Sequence, residues 1–199
     1  MATWIWIVIA AAVVLVCVAA AMQMTSRRRT QRLQDRFGPE YDRTARVAGG
    51  RRDAEADLRA RESRRDGLDI RPLPAATRDR YATKWQDVQA EFVDSPTDAV
   101  AHADSLVNAV MSDRGYPMDD FGQRASDVSV DHPQVVEHYR AAHQIFASMV
   151  DGSVSTEEER QAMKHYRMLF DDLLDANGTD GGSEPAGVSS RPIEEAHRV

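Results

Sequence analysis

Thiol chemistry is nearly absent from this chain: Cys17 is the single cysteine in 199 residues. That excludes an intramolecular disulfide and a cysteine-built zinc cluster. Set among valines and alanines, Cys17 reads as a small apolar filler. The sequence also lacks a P-loop, a GxGxxG turn after a strand, a GxSxG elbow and the protein-kinase signatures. Glu137-His138 has no second histidine four residues on, so no HExxH motif exists. The aspartates at 113, 119, 120, 127 and 131 lack the alternating ligand pattern and closing glutamate of an EF-hand, and read as loop charge and helix caps. No catalytic constellation, no cofactor, no metal ligand set and no small-molecule substrate is expected.

Basic charge is scarce in the distal part. Residues 72–199 hold 11 basic and 23 acidic side chains, whereas 23–71 hold 14 arginines against nine acids. An acidic distal domain disfavours nucleic acid, whose binding rests on phosphate contacts.

Against these absences stands one long hydrophobic run. Residues 3–22, TWIWIVIAAAVVLVCVAAAM, carry no charge. Twenty residues at about 1.5 Å each span roughly 30 Å, the thickness of a hydrocarbon core. Trp4 and Trp6 lie at the edge where amphipathic rings favour the interface, and Arg27, Arg28 and Arg29 follow the run. A single transmembrane helix is expected. The positive-inside rule puts its N-terminus outside and residues 27–199 in the cytoplasm. The competing reading is a cleaved signal peptide in an exported or envelope protein, with Ala19-Ala20-Ala21 suiting a peptidase. That reading lacks a positive n-region. Lipid attachment at Cys17 meets Val16 where a small residue is needed.

Residues 23–74 read as a charged helical connector. Leu33 and Phe37 share a face before Gly38-Pro39 stops the helix, and Gly49-Gly50 interrupts again. Over 52–65, Leu58 is the one large apolar residue. Glu55 to Arg59 and Asp57 to Arg61 are favourable i, i+4 pairs, worth about 0.2–0.5 kcal/mol each. The register Ala54, Leu58, Arg61 fails a coiled-coil seam, so a solvated stalk is expected.

Residues 75–175 carry helical periodicity. Tyr81, Trp85, Val88 and Phe92 form one stripe, and Val100, Ala103, Leu106, Val107, Val110 and Met111 another. Ser95-Pro96 should open the second helix and Gly115 close it. A short helix is expected over 118–125, burying Phe121, while Val128 and Val130 alternate. Pro133 should start a helix with Val135, Val136, Tyr139, Ala142, His143, Phe146 and Val150 on one side. Ser155 with Glu158 is a capping box before Ala162, Met163, Tyr166, Leu169, Phe170 and Leu173. Four long helices and a short one predict an all-α bundle, able to fold as a 75–175 fragment. Residues 176–199, rich in Gly, Ser and Pro, read as a disordered tail. His143 is expected to bond inside the bundle. His102 and His165 could form a cross-helix metal site with Asp104 and Asp171 or Asp172 only if the fold assembled it.

Several strings stand out as a set: Arg36-Phe37-Gly38-Pro39-Glu40-Tyr41-Asp42, Ile70-Arg71-Pro72-Leu73, Arg80-Tyr81 with Trp85 and Val88-Gln89, Arg114-Gly115-Tyr116-Pro117, Val130-Asp131-His132-Pro133 and His165-Tyr166-Arg167. Over roughly 32–174 this set resembles an uncharacterised family of actinobacterial proteins labelled membrane, secreted or hypothetical. The resemblance implies no activity, substrate or site. The usage of 23 arginines against two lysines fits a high-GC bacterial source. The functional expectation is a non-enzymatic interaction or scaffold module, tethered to the lipid bilayer and binding a protein partner through the turn at Tyr116, Pro117 and Phe121. A site assembled only by the fold would instead indicate an enzyme or metal protein.

Overall fold

A computed structural model of the chain describes residues 3–149, Gly152 and 154–175; for Thr3 and 5–13 it describes the backbone alone. The described chain is all-helical, with no strand among the described residues. Its helices are α1 (Thr3–Phe37), α2 (Pro39–Val47), α3 (Arg51–Asp66), α4 (Ala75–Glu91), α5 (Pro96–Arg114), α6 (Phe121–Asp131), α7 (Val136–Met149) and α8 (Thr156–Asp175). The expected tail over 176–199 and the stripe residue Val150 lie outside the described residues.

The breaks fall where backbone chemistry places them. Gly38, at φ +46°, separates α1 from α2, and Pro39 occupies the first turn of α2, where a missing N–H costs nothing. Ser95 stands at the N-cap of α5, although its side chain makes no capping bond; Pro96 fixes the first turn instead. Gly115 ends α5 in a left-handed conformation, with Gly115 N–H donating to Ser112 O and Tyr116 N–H to Met111 O. This is the paired bonding of a Schellman motif. The capping box of α8 forms: Glu158 Oε2 accepts from Ser155 N–H at 2.8 Å, and Ser155 Oγ accepts from Glu158 N–H at 3.3 Å. Helix α7 begins at Val136 rather than at Pro133, because 133–135 form a turn that places Val135 and Val136 N–H on His132 O.

The main core gathers the predicted stripes around α5, which packs against α4, α7 and α8. Trp85 and Phe170 stack with centroids 4.7 Å apart, and Tyr139, Tyr166, Met111 and Leu169 are fully buried. A second, smaller core joins Leu33, Phe37, Tyr41, Leu58 and Val130. Here the stalk expectation is corrected. Helices α2 and α3 and the end of α1 pack on one another and on α6, and Ala54 and Leu58 are fully buried. The seam that fails a coiled coil is filled within the chain, with buried Arg61 paired to Glu40 and Asp57.

Helix α6 is the bridge. Val128 faces the main core and Val130 the second. Two residues apart on a helix means roughly 200° around the axis, so a period-two pair here marks a helix buried on opposite sides.

The apolar run occupies the first part of α1. From Val14 to Arg29 every side chain is exposed, including Leu15 at 70% and Met22 at 67%. Among the described residues no helix is long and apolar enough to cross a membrane. The side chains of 5–13, which make up much of the expected span, lie outside that set, as does the Trp6 ring.

Candidate functional site

A buried polar cluster forms where α5, α6, α7 and α8 meet. On α5, Asp104 Oδ1 accepts from Tyr166 O–H at 2.7 Å, and its Oδ2 accepts from Asn108 Nδ2 at 2.8 Å. Asn108 Oδ1 faces Tyr139 O–H at 3.3 Å, and Arg124 Nε donates to the same phenol oxygen at 2.7 Å. A continuous relay thus links the Arg124 cation on α6 to the Asp104 anion on α5. Both side chains are nearly buried, and neutral hydrogen-bonding groups separate them. Burial costs such groups several kcal/mol unless partners are present, so the relay is a condition for the helices to close.

His143 on α7 sits at the mouth of this cluster. Its Nδ1 lies 4.0 Å from Asp104 Oδ1 and makes no hydrogen bond there, against the expectation of a bonded core histidine. The ring stacks on Phe121, with centroids 3.7 Å apart and 11° between planes. Burial lowers its pKa, with the Arg124 charge acting the same way and the Asp104 charge opposing. Burial raises the Tyr166 pKa, with the Asp104 charge and hydrogen bond adding to it. Tyr139 is pushed up to about 12 by burial, despite the opposing Arg124 bond and charge. Both phenols therefore serve as neutral donors at physiological pH. Chemically, the cluster can hold one proton more or less at His143 beside a fixed carboxylate.

A second polar centre ties the amino-terminal helices to the bundle. Glu40 is fully buried and takes Arg61 Nη1 at 2.7 Å, Arg140 Nη1 at 2.7 Å and Arg140 Nη2 at 2.9 Å. Burial alone would raise its pKa; the hydrogen bonds and charges of Arg140 and Arg61 outweigh that and hold the carboxyl below its ordinary range. Beside it, Arg64 Nε donates to Asp127 Oδ1 at 3.0 Å, and Arg65 Nε to Asp131 at 2.8 Å.

The turn predicted as a partner surface is largely internal. Tyr116 is 3% exposed and donates to Asp131 Oδ2 at 2.9 Å, Pro117 is half-buried, and Phe121 packs between Tyr139 and His143. Of the aspartates near it, Asp120 caps α6 as expected and Asp113 accepts from Tyr81, whereas Asp127, 1% exposed, and Asp131 are held in ion pairs with Arg64 and Arg65 rather than standing as loop charge.

The histidines are dispersed. His102 pairs with Glu91 on the surface, His132 Nδ1 contacts Asp172, and His138 and His165 meet Nδ1 to Nδ1 at 2.9 Å. Among the described residues no group of three or more His, Cys, Asp or Glu side chains is arranged to hold a metal. Sequence reasoning missed Arg124, Asn108 and Glu40. Their signal, a polar residue inside a helical stripe, is indistinguishable from surface charge until the facing helix is known.

At the amino-terminal end, Trp4 is 62% exposed, and Arg27, Arg28 and Arg29 are exposed on α1. No protein-family model matches this chain, and no match was found among curated proteins or solved structures.

Proposed function

We propose that the protein is a non-enzymatic interaction module, tethered by α1 to the cytoplasmic face of a membrane as a single-pass protein. The observation that supports it is the contrast within α1. Its Leu33 and Phe37 are buried in the second core, while Val14, Leu15, Val16, Val18, Met22 and Met24 are exposed. An uncovered apolar surface of this kind marks a membrane or partner contact. The uncharged run over 3–22 and the arginines after it favour a bilayer with the arginines inside. A helix without a break from the run to Phe37 mounts the bundle directly, so partner binding is coupled to the position of the anchor. The buried relay at Asp104 serves in this reading as a specificity element for helix packing.

The partner face, in this reading, is the groove of about 200 Å³ between α4 and α8, with Trp85, Phe92 and Met163 lining it and Arg160, Lys164 and Arg167 beside them. Its chemistry suits a segment carrying an apolar side chain next to carboxylates. The actinobacterial resemblance is consistent with a bacterial inner-membrane setting and lends no substrate.

Protease shaving of intact spheroplasts, with a tag after Val199, tests the topology. Survival of the tag until the membrane is permeabilised supports the cytoplasmic assignment. Digestion in intact spheroplasts, or release into the medium, overturns it in favour of an envelope module.

A further inference from the structure

Three arginines from two helices converge at the base of the folded part, immediately beyond the apolar run. Arg29 and Arg32 on α1 and Arg59 on α3 line a groove of about 240 Å³ with Leu33 and Glu62. The spacing explains the convergence. Positions 29, 32, 33 and 36 form one stripe of α1, and 55, 59 and 62 one stripe of α3. Thr30 donating to Glu55 at 2.8 Å and the Arg36–Glu62 ion pair at 3.0 Å hold the two helices in register.

The charges in this groove are not balanced internally. Glu62 is committed to Arg36, and Arg59 lies 3.3 Å from Glu55, a carboxylate that Thr30 and Tyr41 also share. Arg29 and Arg32 have no ion-pair partner among the described residues and are exposed. Leu33, 4% exposed, supplies an apolar wall to the groove. Forked guanidiniums from two directions around a small cavity fit the oxygens of a phosphate.

We infer that this groove binds the phosphate of an anionic phospholipid headgroup. The inference rests on the membrane tether proposed above, which sets the depth. Arg29 lies seven residues past Met22, or about 10 Å along the helix. The headgroup layer extends roughly 5–8 Å beyond the hydrocarbon edge, and an arginine side chain reaches back toward it. Arg59 distinguishes this from a plain stop-transfer run. It comes from a separate helix thirty residues on and reaches the groove only in the folded protein.

The test is native mass spectrometry of the full chain in neutral detergent, titrated with phosphatidylglycerol, phosphatidylcholine or inorganic phosphate. Wild type should retain one phosphatidylglycerol at least about tenfold more tightly than phosphatidylcholine, and R59Q and R32Q should each remove about that factor. R52Q deletes an equal charge from the exposed surface of α3 outside the groove and should leave retention within about twofold. Equal loss in R52Q, equal retention of both lipids, or inorganic phosphate binding as tightly as the anionic lipid would each overturn the assignment. Flotation of the full chain with neutral phosphatidylcholine vesicles checks the tether separately. A chain that floats but shows no anionic preference defeats the headgroup site alone, whereas a chain that does not float defeats the tether.

Discussion

Arg140 on α7 clamps Glu40 on α2, a hundred residues earlier in the chain, with Nη1 2.7 Å from Oε2 and Nη2 2.9 Å from Oε1. Arg61 on α3 donates to Oε1 of the same carboxylate at 2.7 Å. Two adjacent amino-terminal helices and the distant α7 therefore share one buried anion, and the amino-terminal helices cannot separate from the bundle without exposing it.

Removing that anion should be costly. Glu40→Gln keeps the shape but leaves Arg61 and Arg140 short of charge, and losing one partner of a buried pair costs about 3–5 kcal/mol. Urea denaturation at pH 7 checks it. The pH dependence carries a sign as well. A carboxyl held below its ordinary 4.5 contributes stability that is fully present above that value and is lost as pH falls through the lower folded value. The acid limb of the stability curve should therefore be shallower below pH 4.5 in Glu40→Gln.

The folding unit should begin well before residue 75. A 75–175 fragment strips Val130 of Leu33, Phe37, Tyr41 and Leu58, takes Glu40 from Arg140, and deletes Leu73 from the main core. A 28–175 fragment should unfold in one cooperative transition, more stable than 75–175 by at least about 2 kcal/mol from the lost burial alone. Equal denaturation midpoints would show the second core to be energetically idle.

Histidine titration should weaken the bundle on mild acidification. His143 and His165 both have pKa values lowered from the ordinary 6.5, chiefly by burial. His143 faces Asp104 and Arg124; His165 faces His138, with Lys164 beside it on α8. A lowered histidine pKa means the unfolded chain binds more protons below 6.5, so stability falls as pH drops from there toward the folded values. The double variant H143N/H165N should flatten this limb between pH 7 and 5 in chemical denaturation. His102 acts oppositely: its hydrogen bond to Glu91 raises its pKa, and that contribution fades as pH rises. At an exposed site it is the smaller effect.

Two glycines with positive φ should respond unequally to alanine. Gly115, at φ +98°, lies where a Cβ would stand 2.4 Å from the Asp69 carbonyl oxygen, whereas Gly49, at φ +69°, has nothing within 4 Å. Gly49→Ala bears only left-handed strain, about 1–2 kcal/mol, or a few degrees in Tm for a chain of this size. Gly115→Ala adds a backbone clash that no rotamer relieves. Its Tm should fall at least twice as far, because Asp69 is held there by Arg71 N–H bonded to Arg114 O at 2.8 Å.

Helix identity was largely written in local pattern. The Tyr81 to Phe92 and Val100 to Met111 stripes, the Ser155–Glu158 box and the Gly115 stop each depend on neighbours within a turn, and each appears as read. The start of α7 slipped by three residues because the His132 carbonyl captured the first donors in a turn. The connector departs from its sequence pattern for a different reason. Over 52–65, one leucine among charges looks solvated when only that helix is considered, yet Leu58 has Phe37, Tyr41 and Val130 as neighbours, and Arg61 has Glu40.

The sequence alone therefore determined the long helical stripes, the Gly115 stop, the Ser155–Glu158 box and the contrast between an uncharged start, a basic segment and an acidic distal part, because these follow from spacing and composition along the chain. Tertiary structure decided which charges are buried, that α6 serves two cores, that Tyr116 points inward, and that Arg59 joins Arg29 and Arg32. Those outcomes depend on which helix faces which, and a side chain's charge or polarity carries no record of the partner that will cover it.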